Sequence, residues 1–345
     1  MQMTTQTITA NHSLEFYSPE DLQADPSLRT VWESLVHLGN PLNGAYLGPA
    51  PFETHAKLAP HEGNRVVMIR DGDGKVIGVC PVVHWKLEMP FQVRRRIFGK
   101  LKLEAATVLS GEPLLPQDPA LFRLLIEGLL REMSWCDCIY FNSIPADCYA
   151  TRFIYGEEGR LERYFVYPRR LQPREWIYLE LEESYEKFLQ GKQTKTRNTW
   201  KRRVKKLREL GGGVLECDRI ENEDQVDAFY EAANSVAEKS WQFRTLGRAL
   251  EETALYRDSL RSLARQGCLR AYLLRCGERP CAFVIGLQDN DVLQFEQTAY
   301  SGDFSIQSPG TVLYYMLLED VYRNRRPRFL NHGTGVTPHH SIALR

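Results

Sequence analysis

A short segment near the C-terminal end of the sequence has the residue types of an anion site. Ser308-Pro309-Gly310-Thr311 is typical of a helix start, because serine is a preferred N-cap and proline a preferred first helical residue. Unpaired N–H groups and the positive end of the helix dipole favour a phosphate or pyrophosphate there. Ser308, Gly310 and Thr311 are therefore candidate ligands, through backbone N–H groups and the Thr311 hydroxyl. Helix starts of this kind also occur without a ligand.

Two side chains are candidates for a general base. Glu296 lies centrally in the predicted strand 292–300, where an acid is costly unless it is paired or used. Burial would raise its pKa toward a useful range, which makes Glu296 the first candidate. The alternative is a Glu satisfied by a neighbouring Arg. His332, on the last predicted strand beside Asn331, is the second candidate; it could also be a hydrogen-bonded histidine at a strand end.

The segment 192–208 contains nine Lys and Arg and no acid, and it leaves the rest of the chain with nine more acidic than basic residues. Its apolar residues follow helical spacing, so one face packs and the other stays basic; they are Thr196, Trp200, Val204 and Leu207. Lys201 and Arg202 on the basic face are candidate substrate-binding residues. They could meet coenzyme phosphates, an anionic acceptor, RNA or an anionic membrane surface, or they could face solvent. A single aromatic, Trp200, gives little support to stacking of single-stranded nucleic acid.

Metal and thiol chemistry have weak support in this sequence. His339 and His340 lack acidic or cysteine partners at ligand spacing, so we expect no metal site. Cysteines open predicted strands or bracket a hairpin, which predicts buried, inert thiols; they are Cys136, Cys138, Cys148, Cys276 and Cys281.

Alternating apolar runs and turn residues predict two similar halves. The first contains a hairpin with strands at 65–70 and 76–83, a strand at 97–103, a helix at 120–133 and a strand at 138–141. The second contains a hairpin at 269–287, a strand at 292–300, a helix from Pro309 and a strand at 328–331. We read this as a weak internal duplication of an α/β plan. The boundary is expected near 168–173, giving domains 1–170 and 171–345, with the basic helix at 192–210.

Composition places the chain among ordinary globular proteins. It has 345 residues with 44 basic and 44 acidic side chains, and 43% of them are hydrophobic. These values exclude the compositions of disordered, collagen-like and coiled-coil proteins. No apolar run approaches the roughly 18 residues that cross a bilayer, and the first residues lack the features of a secretory signal. A cytoplasmic location is the expectation.

The order of these elements resembles the GNAT acyltransferase superfamily. Within that superfamily, the sequence looks like the CelD-like family linked to polysaccharide synthesis. Four segments carry this resemblance: the basic segment, Lys239-Ser-Trp241-Gln with its aromatic residue, the hairpin 269–283, and Ser308-Pro-Gly-Thr-Val-Leu-Tyr-Tyr315. The FemAB peptidyltransferases are more distantly similar. The resemblance covers about 178–335 well, and the N-terminal half matches only in general plan.

The resemblance implies two GNAT-like halves, each a mostly antiparallel sheet flanked by helices, with the acyl donor in the C-terminal one. It implies transfer of an acyl group from acyl-coenzyme A to an amine or hydroxyl, on a polar and saccharide-linked acceptor, with no metal. Glu296 or His332 would then act as general base, and Ser308, Gly310 and Thr311 would hold the donor's phosphates. Trp241 would line the acceptor or acyl site; the alternative is a tryptophan of the core.

Two rival functions stay open. An aminoacyl-tRNA-dependent transfer would follow the FemAB relatives, and the basic helix would then bind RNA. A GNAT fold that binds without catalysis is the other, because the last strand, Phe329-Leu-Asn-His-Gly-Thr-Gly335, lacks the acid that the family usually carries there.

Overall fold

The computed structural model describes residues 7–9, 12–93, 96–109, 112–141, 144, 148–156, 176–241, 243, 250, 254–289 and 291–334. The chain divides into two compact units, Met1–Pro173 and Arg174–Arg345, called here the N-terminal and C-terminal units. The predicted boundary segment, 168–173, lies outside the described residues.

The described helices and strands alternate along the chain in both units. The strands are β1 Thr7–Thr9, β2 His12–Tyr17, β3 Arg65–Arg70, β4 Val76–Val93, β5 Arg96–Val108, β6 Cys138–Phe141, β7 Trp176–Glu180, β8 Leu215–Ile220, β9 Ala271–Cys276, β10 Arg279–Asp289, β11 Val292–Tyr300 and β12 Phe329–Thr334. The helices are α1 Pro19–Ala24, α2 Pro26–Leu35, α3 Pro49–Leu58, α4 Pro119–Glu132, α5 Tyr149–Tyr155, α6 Tyr185–Gln190, α7 Thr194–Leu210, α8 Val226–Glu238, α9 Ala254–Arg265 and α10 Pro309–Arg323.

The N-terminal unit is a six-stranded sheet in the order β1-β2-β3-β4-β5-β6, with helices on both faces. Every neighbouring pair is antiparallel except β5–β6. Alternation along β4 sends Val82 to one core, where it meets Phe122 of α4, and Val83 to the other, where it meets Trp32 of α2 and Phe52 of α3. The sheet is therefore the middle layer between two apolar cores.

The C-terminal unit is also six-stranded, in the order β7-β12-β11-β10-β9-β8. Its one parallel pair among the described strands is β11–β12. The helices α6, α7 and α10 share an apolar core with one face of the sheet, in which Trp200 and Tyr315 rings lie 5.3 Å apart. On the other face, Phe229 of α8 packs edge-on against Phe283 of β10.

The two sheets repeat one plan. Strands β2 to β6 and strands β8 to β12 lie in the same neighbour order, each ending in a parallel pair joined by a helix, α4 or α10. The predicted α/β fold with two GNAT-like halves is confirmed. The main difference is in the first half, where β4 and β5 are much longer than the predicted strands at 76–83 and 97–103.

In the part of the chain listed above, none of the helices combines the length and the apolar character that a bilayer crossing requires.

Candidate functional site

The start of α10 is built by an unusual backbone conformation. A short 3-10 helix, Gly302–Gln307, ends at Ser308, which has φ 54° and ψ 60° in the left-handed region. Pro309 then fixes the first helical residue, as the sequence predicts. The Ser308 side chain makes no capping hydrogen bond, so the sequence is right about the helix start and wrong about serine capping it. The hydroxyl stays available to a ligand.

The backbone donors at this helix start are fewer than the sequence suggests. Thr311 and Val312 N–H groups both donate to the Ser308 carbonyl, at 3.0 and 3.2 Å, and Pro309 has no N–H. Among the described residues this leaves the Gly310 N–H without a backbone acceptor. The donors available to an anion are therefore the Gly310 N–H and the hydroxyls of Ser308 and Thr311.

The first turn of α10 lies against the end of β11. A Cβ placed on Gly310 would be 3.5 Å from Cδ1 of Tyr300, the last residue of that strand, which is an ordinary contact. An alanine therefore fits at this position, whereas a large side chain would cover the helix start.

Strands β11 and β12 separate at the same end of the sheet. Their parallel ladder joins Val292 to Phe329, Leu293 to Leu330 and Gln294 to Asn331, and within the described chain it extends no further. We call the separated segments, 295–300 of β11 and 332–334 of β12, the strand fork. Backbone N–H and C=O groups on the inner edges of the fork are not used by the ladder and can bind a ligand.

His332 is the first residue of β12 inside the strand fork. Its ring lies 4.8 Å from the Phe295 ring, edge to face, and its Nε2 lies 3.3 Å from the Tyr314 hydroxyl. Burial lowers the pKa of His332 to about 4, so the imidazole is neutral near pH 7. Burial also raises the pKa of Tyr314. The ring therefore has an unprotonated nitrogen at neutral pH, but its low pKa makes it a weak base unless the bound substrate raises that pKa.

Tyr314 connects the two parts of the site. It stands four residues after Gly310 on α10, so both lie on one face of the helix, a turn apart. Neither Tyr314 nor Phe295 is among the site residues that the sequence predicts. The i, i+4 spacing from Gly310 was the signal that could have found Tyr314.

Glu296 does not have the environment that the sequence predicts. It is exposed, whereas Val292, Leu293 and Gln294 before it are buried. The reason is a register shift: Ile285 pairs with Gln297 and Gly286 with Phe295, so Glu296 is the extra residue of a β-bulge. The expectation of burial is wrong, and with it the argument that burial would raise the pKa of this carboxyl. The bulge also places Glu296 next to the first residue of the strand fork.

The basic helix is present with the predicted packing. Trp200 and Leu207 of α7 are buried, and Thr196 and Val204 are partly buried along the same stripe. Lys201 and Arg202 are exposed, which fits a solvated face and leaves both available to an anionic partner. The structure does not bring them into described contact with Ser308, Gly310 or Thr311.

Trp241 follows α8 and is 37% exposed. Two residues earlier, the Lys239 carbonyl accepts a hydrogen bond from Gly302 N–H at 2.9 Å, and Lys239 Nζ lies 3.4 Å from Asp303 Oδ2. The end of α8 is thus tied to the loop that leads to Ser308.

The opposite end of α10 is held by a buried ion pair. Arg270, the residue before β9, is fully buried and donates to Asp320 Oδ2 at 3.2 Å, and Tyr272 of β9 donates to the same oxygen at 2.9 Å. Arg219 lies 3.1 Å from Asp320 Oδ1. Burial alone would raise the pKa of Asp320, but the Tyr272 hydrogen bond and the charges of Arg219 and Arg270 lower it overall. This network fixes α10 on the sheet.

The equivalent helix of the N-terminal unit has a different start. The Asp118 carboxylate accepts the N–H of Ala120 at 2.8 Å and caps α4. A capping carboxylate accepts a hydrogen bond from one of the free backbone N–H groups at the helix start, and its negative charge repels phosphate. The helix start suited to an anion is that of α10, in the half where the sequence analysis expected the donor.

The cysteines are free, and burial raises the pKa of each one that was singled out from sequence. Cys148, Cys276 and Cys281 are buried, whereas Cys136 and Cys138 are only partly so, a small correction to the expectation of buried thiols. Within the described ranges, no three His, Cys, Asp or Glu side chains are grouped to hold a metal ion. His339 and His340 lie outside those ranges.

Comparison with known proteins adds to this geometry. Residues 194–339 match the family model of an acetyltransferase (GNAT) domain. Among solved structures, FemX superposes with a TM-score of 0.56 at 11% identity, over 89% of this chain and 87% of its own. The C-terminal domain of a putative lysylphosphatidylglycerol synthetase from Agrobacterium fabrum gives 0.49 at 11% identity over 90% and 79%, and L-PGS from Bacillus licheniformis gives 0.48 at 13% over 92% and 81%. No curated protein matches the sequence.

The family match and the superposition on FemX show a distant GNAT- and FemAB-like fold, as the sequence analysis predicts. The matched segment runs from the first residues of α7 past the end of β12, so it contains the helix start of α10 and the strand fork.

Proposed function

We propose that the C-terminal unit transfers an acyl group from acyl-coenzyme A to an amine or hydroxyl of a polar acceptor. The observation that carries this proposal is the arrangement of an open helix start and a histidine-bearing strand fork at one end of one sheet. Phosphates of the donor would bind at the Gly310 N–H and at the hydroxyls of Ser308 and Thr311. The thioester would lie in the fork, where ladder-free N–H groups can polarise its carbonyl.

In this mechanism the acceptor attacks the thioester carbonyl directly, without an acyl-enzyme. His332 takes the proton of the attacking amine or hydroxyl, and the tetrahedral intermediate expels the thiolate, which receives that proton. Tyr314 hydrogen-bonds the imidazole and fixes its orientation. The exposed Glu296, at the bulge within the β11 side of the fork, is the competing candidate for the base.

The acceptor side of the proposal rests on exposed residues. Lys201 and Arg202 would attract an anionic group of the acceptor, and the Trp241 ring would pack on an apolar or sugar surface. Together they favour a polar, saccharide-linked acceptor in a polysaccharide pathway, which is the expectation from the CelD-like resemblance.

Calorimetry with acetyl-coenzyme A and a longer acyl-coenzyme A tests the donor site. Gly310→Trp should abolish saturable binding, because the indole would cover the helix start. Gly310→Ala is the matched control and should bind normally, since its Cβ would make only the ordinary contact with Tyr300. Binding that survives Gly310→Trp would place the donor elsewhere and refute the assignment.

A second candidate function uses an aminoacyl-tRNA as donor, and the exposed cations of α7 favour it. Binding to tRNA should then fall steeply with salt and be weakened by Lys201→Gln with Arg202→Gln. Absence of tRNA binding at low salt would remove this candidate. Donor binding without transfer to any of many acceptors would instead favour a GNAT fold that binds without catalysis.

A further inference from the structure

Strands β4 and β5 continue well beyond the sheet of the N-terminal unit. The ladder to β3 ends at Val82, and the ladder to β6 begins at Ala105. Residues 84–93 and 96–104 therefore pair with each other and, within the described chain, with no other strand. Ten residues of strand span about 30 Å. We call this two-stranded segment the β-ribbon.

The β-ribbon has one apolar and one charged face. Trp85 lies opposite Ala105 and Leu87 opposite Leu103, and Leu101 continues the same face. Trp85 is 49% and Leu101 57% exposed, and Phe98 nearer the tip is 67% exposed. Val83 begins this face inside the apolar core, and the Trp85 ring stacks on His55 of α3 at 5.7 Å, so the face continues the core and becomes exposed toward Leu101.

The opposite face is charged and carries three lysines and two glutamates: Lys86, Lys100 and Lys102 with Glu88 and Glu104. Two ion pairs lie on this face. One joins His84 to Glu104, and the other joins Lys100 Nζ to Glu88 Oε2 at 2.7 Å. Lys86 and Lys102 make no ion pair among the described residues and are exposed. Over residues 84–104 the sequence has six Lys and Arg against two Glu. The β-ribbon is thus cationic as well as apolar.

We propose that the β-ribbon docks on an anionic lipid surface, with Trp85, Leu101 and Phe98 at the level of the headgroups. A cationic segment with exposed aromatic and leucine side chains is the composition that binds such interfaces. The β-ribbon is a single strand layer, so the charges on its far face lie within about one Debye length, 8–10 Å, of the lipid surface. They therefore add to the attraction. The open edges of the β-ribbon need hydration, which keeps it at headgroup depth. A second copy of the chain fits less well, since two ribbons of the same charge repel.

Sedimentation of the full chain with vesicles tests this proposal. Vesicles of phosphatidylcholine with phosphatidylglycerol should bind the protein, and vesicles of phosphatidylcholine alone should not. Lys86→Gln with Lys102→Gln should lower the partition coefficient about 30-fold, at about fivefold for each basic residue near the surface. Leu101→Ser should lower it about tenfold.

Two controls separate the β-ribbon from other surfaces. Leu255→Ser removes an equally exposed leucine, 54%, from α9 and should leave binding unchanged. Lys201→Gln with Arg202→Gln should also leave it unchanged, because those residues belong to the basic helix. All substituted side chains are exposed, so each variant should fold.

Three results would overturn the proposal: no binding to anionic vesicles, loss of binding in the α7 variant alone, or a doubled mass in solution that Leu101→Ser abolishes. The last would assign the β-ribbon to self-association. None of these results depends on acyl transfer, so they leave the proposed function to its own test.

Discussion

The Tyr314 hydroxyl lies 3.3 Å from Nε2 of His332, which ties helix α10 to strand β12 at the first residue where β12 has left β11. Because Gly310 stands one turn before Tyr314, the same contact fixes the distance between the helix start and the strand fork. A donor held by its phosphates at α10 would then present its reactive end to His332. The following outcomes are expected from this arrangement.

His332→Gln should lower kcat about 10²–10⁴-fold, the range for loss of a general base, with donor affinity by calorimetry unchanged. Tyr314→Phe keeps the ring packing but removes one hydrogen bond, so a smaller loss of about tenfold is expected. Glu296→Gln is the matched test of the competing base. Full activity in His332→Gln together with an inactive Glu296→Gln would transfer the role to the bulge carboxylate.

On acidification, His332 should lower the free energy of unfolding at a higher pH than the pH at which it lowers kcat/KM. The imidazole is neutral above its folded pKa of about 4, so this group should leave kcat/KM unaffected down to about pH 5. An unfolded histidine has a pKa of about 6.5 and binds a proton first. The unfolded state therefore holds more protons between these values, and stability falls as pH drops from about 6.5 to 4. Urea unfolding of the wild type and His332→Gln across this range measures the effect, and equal pH slopes would contradict it.

Asp320→Ala should lower the free energy of unfolding by about 2–3 kcal/mol, because it leaves the charge of the buried Arg270 without its ion partner. The value lies at the low end for such pairs, since Asp320 is partly exposed. Glu319→Ala is the neighbouring control. Its partner Arg323 is 71% exposed, so the loss should stay below about 1 kcal/mol. Denaturant unfolding with equal losses in both variants would show that the network does not hold α10.

Ser308→Asp should weaken acyl-coenzyme A binding at least about tenfold, since it places a carboxylate at the helix start as Asp118 does for α4. Ser308→Gly is the control. Glycine adopts φ 54° without strain and keeps the Gly310 N–H but loses the Ser308 hydroxyl, so a smaller loss of about fivefold is expected. Calorimetry distinguishes the two variants, and equal affinity in both would place the phosphates away from this turn.

Much of the fold could be predicted from local signals. The strand at 138–141, the helix from Pro309 and the basic helix follow the expected periodicity, and the structure reproduces them within a few residues. The β-ribbon could not be predicted in the same way. Strand length beyond 83 depends on pairing between β4 and β5, which the alternation of single segments does not determine.

The site could be predicted only in part, because local sequence patterns show neighbours along the chain and not contacts between distant segments. Ser308, Gly310 and Thr311 belong to one contiguous segment, so their grouping was visible in the sequence. The prediction that Glu296 is buried was wrong because Glu296 is the extra residue of a bulge in β11, which breaks the alternation of the strand, and a bulge has no sequence signal here. The network of Arg270 and Asp320 joins residues fifty positions apart, which requires the packed sheet.

The starts of α4 and α10 hold the same place in two copies of one sheet plan, and they differ in what satisfies their N–H groups. Asp118 closes one copy with its own carboxylate, while Ser308 leaves the other open. The start of α4 is therefore stabilised whether or not a ligand is present. The start of α10 lacks that bond, so an anion bound there would raise the stability of the C-terminal unit with its concentration, while the N-terminal unit would not respond.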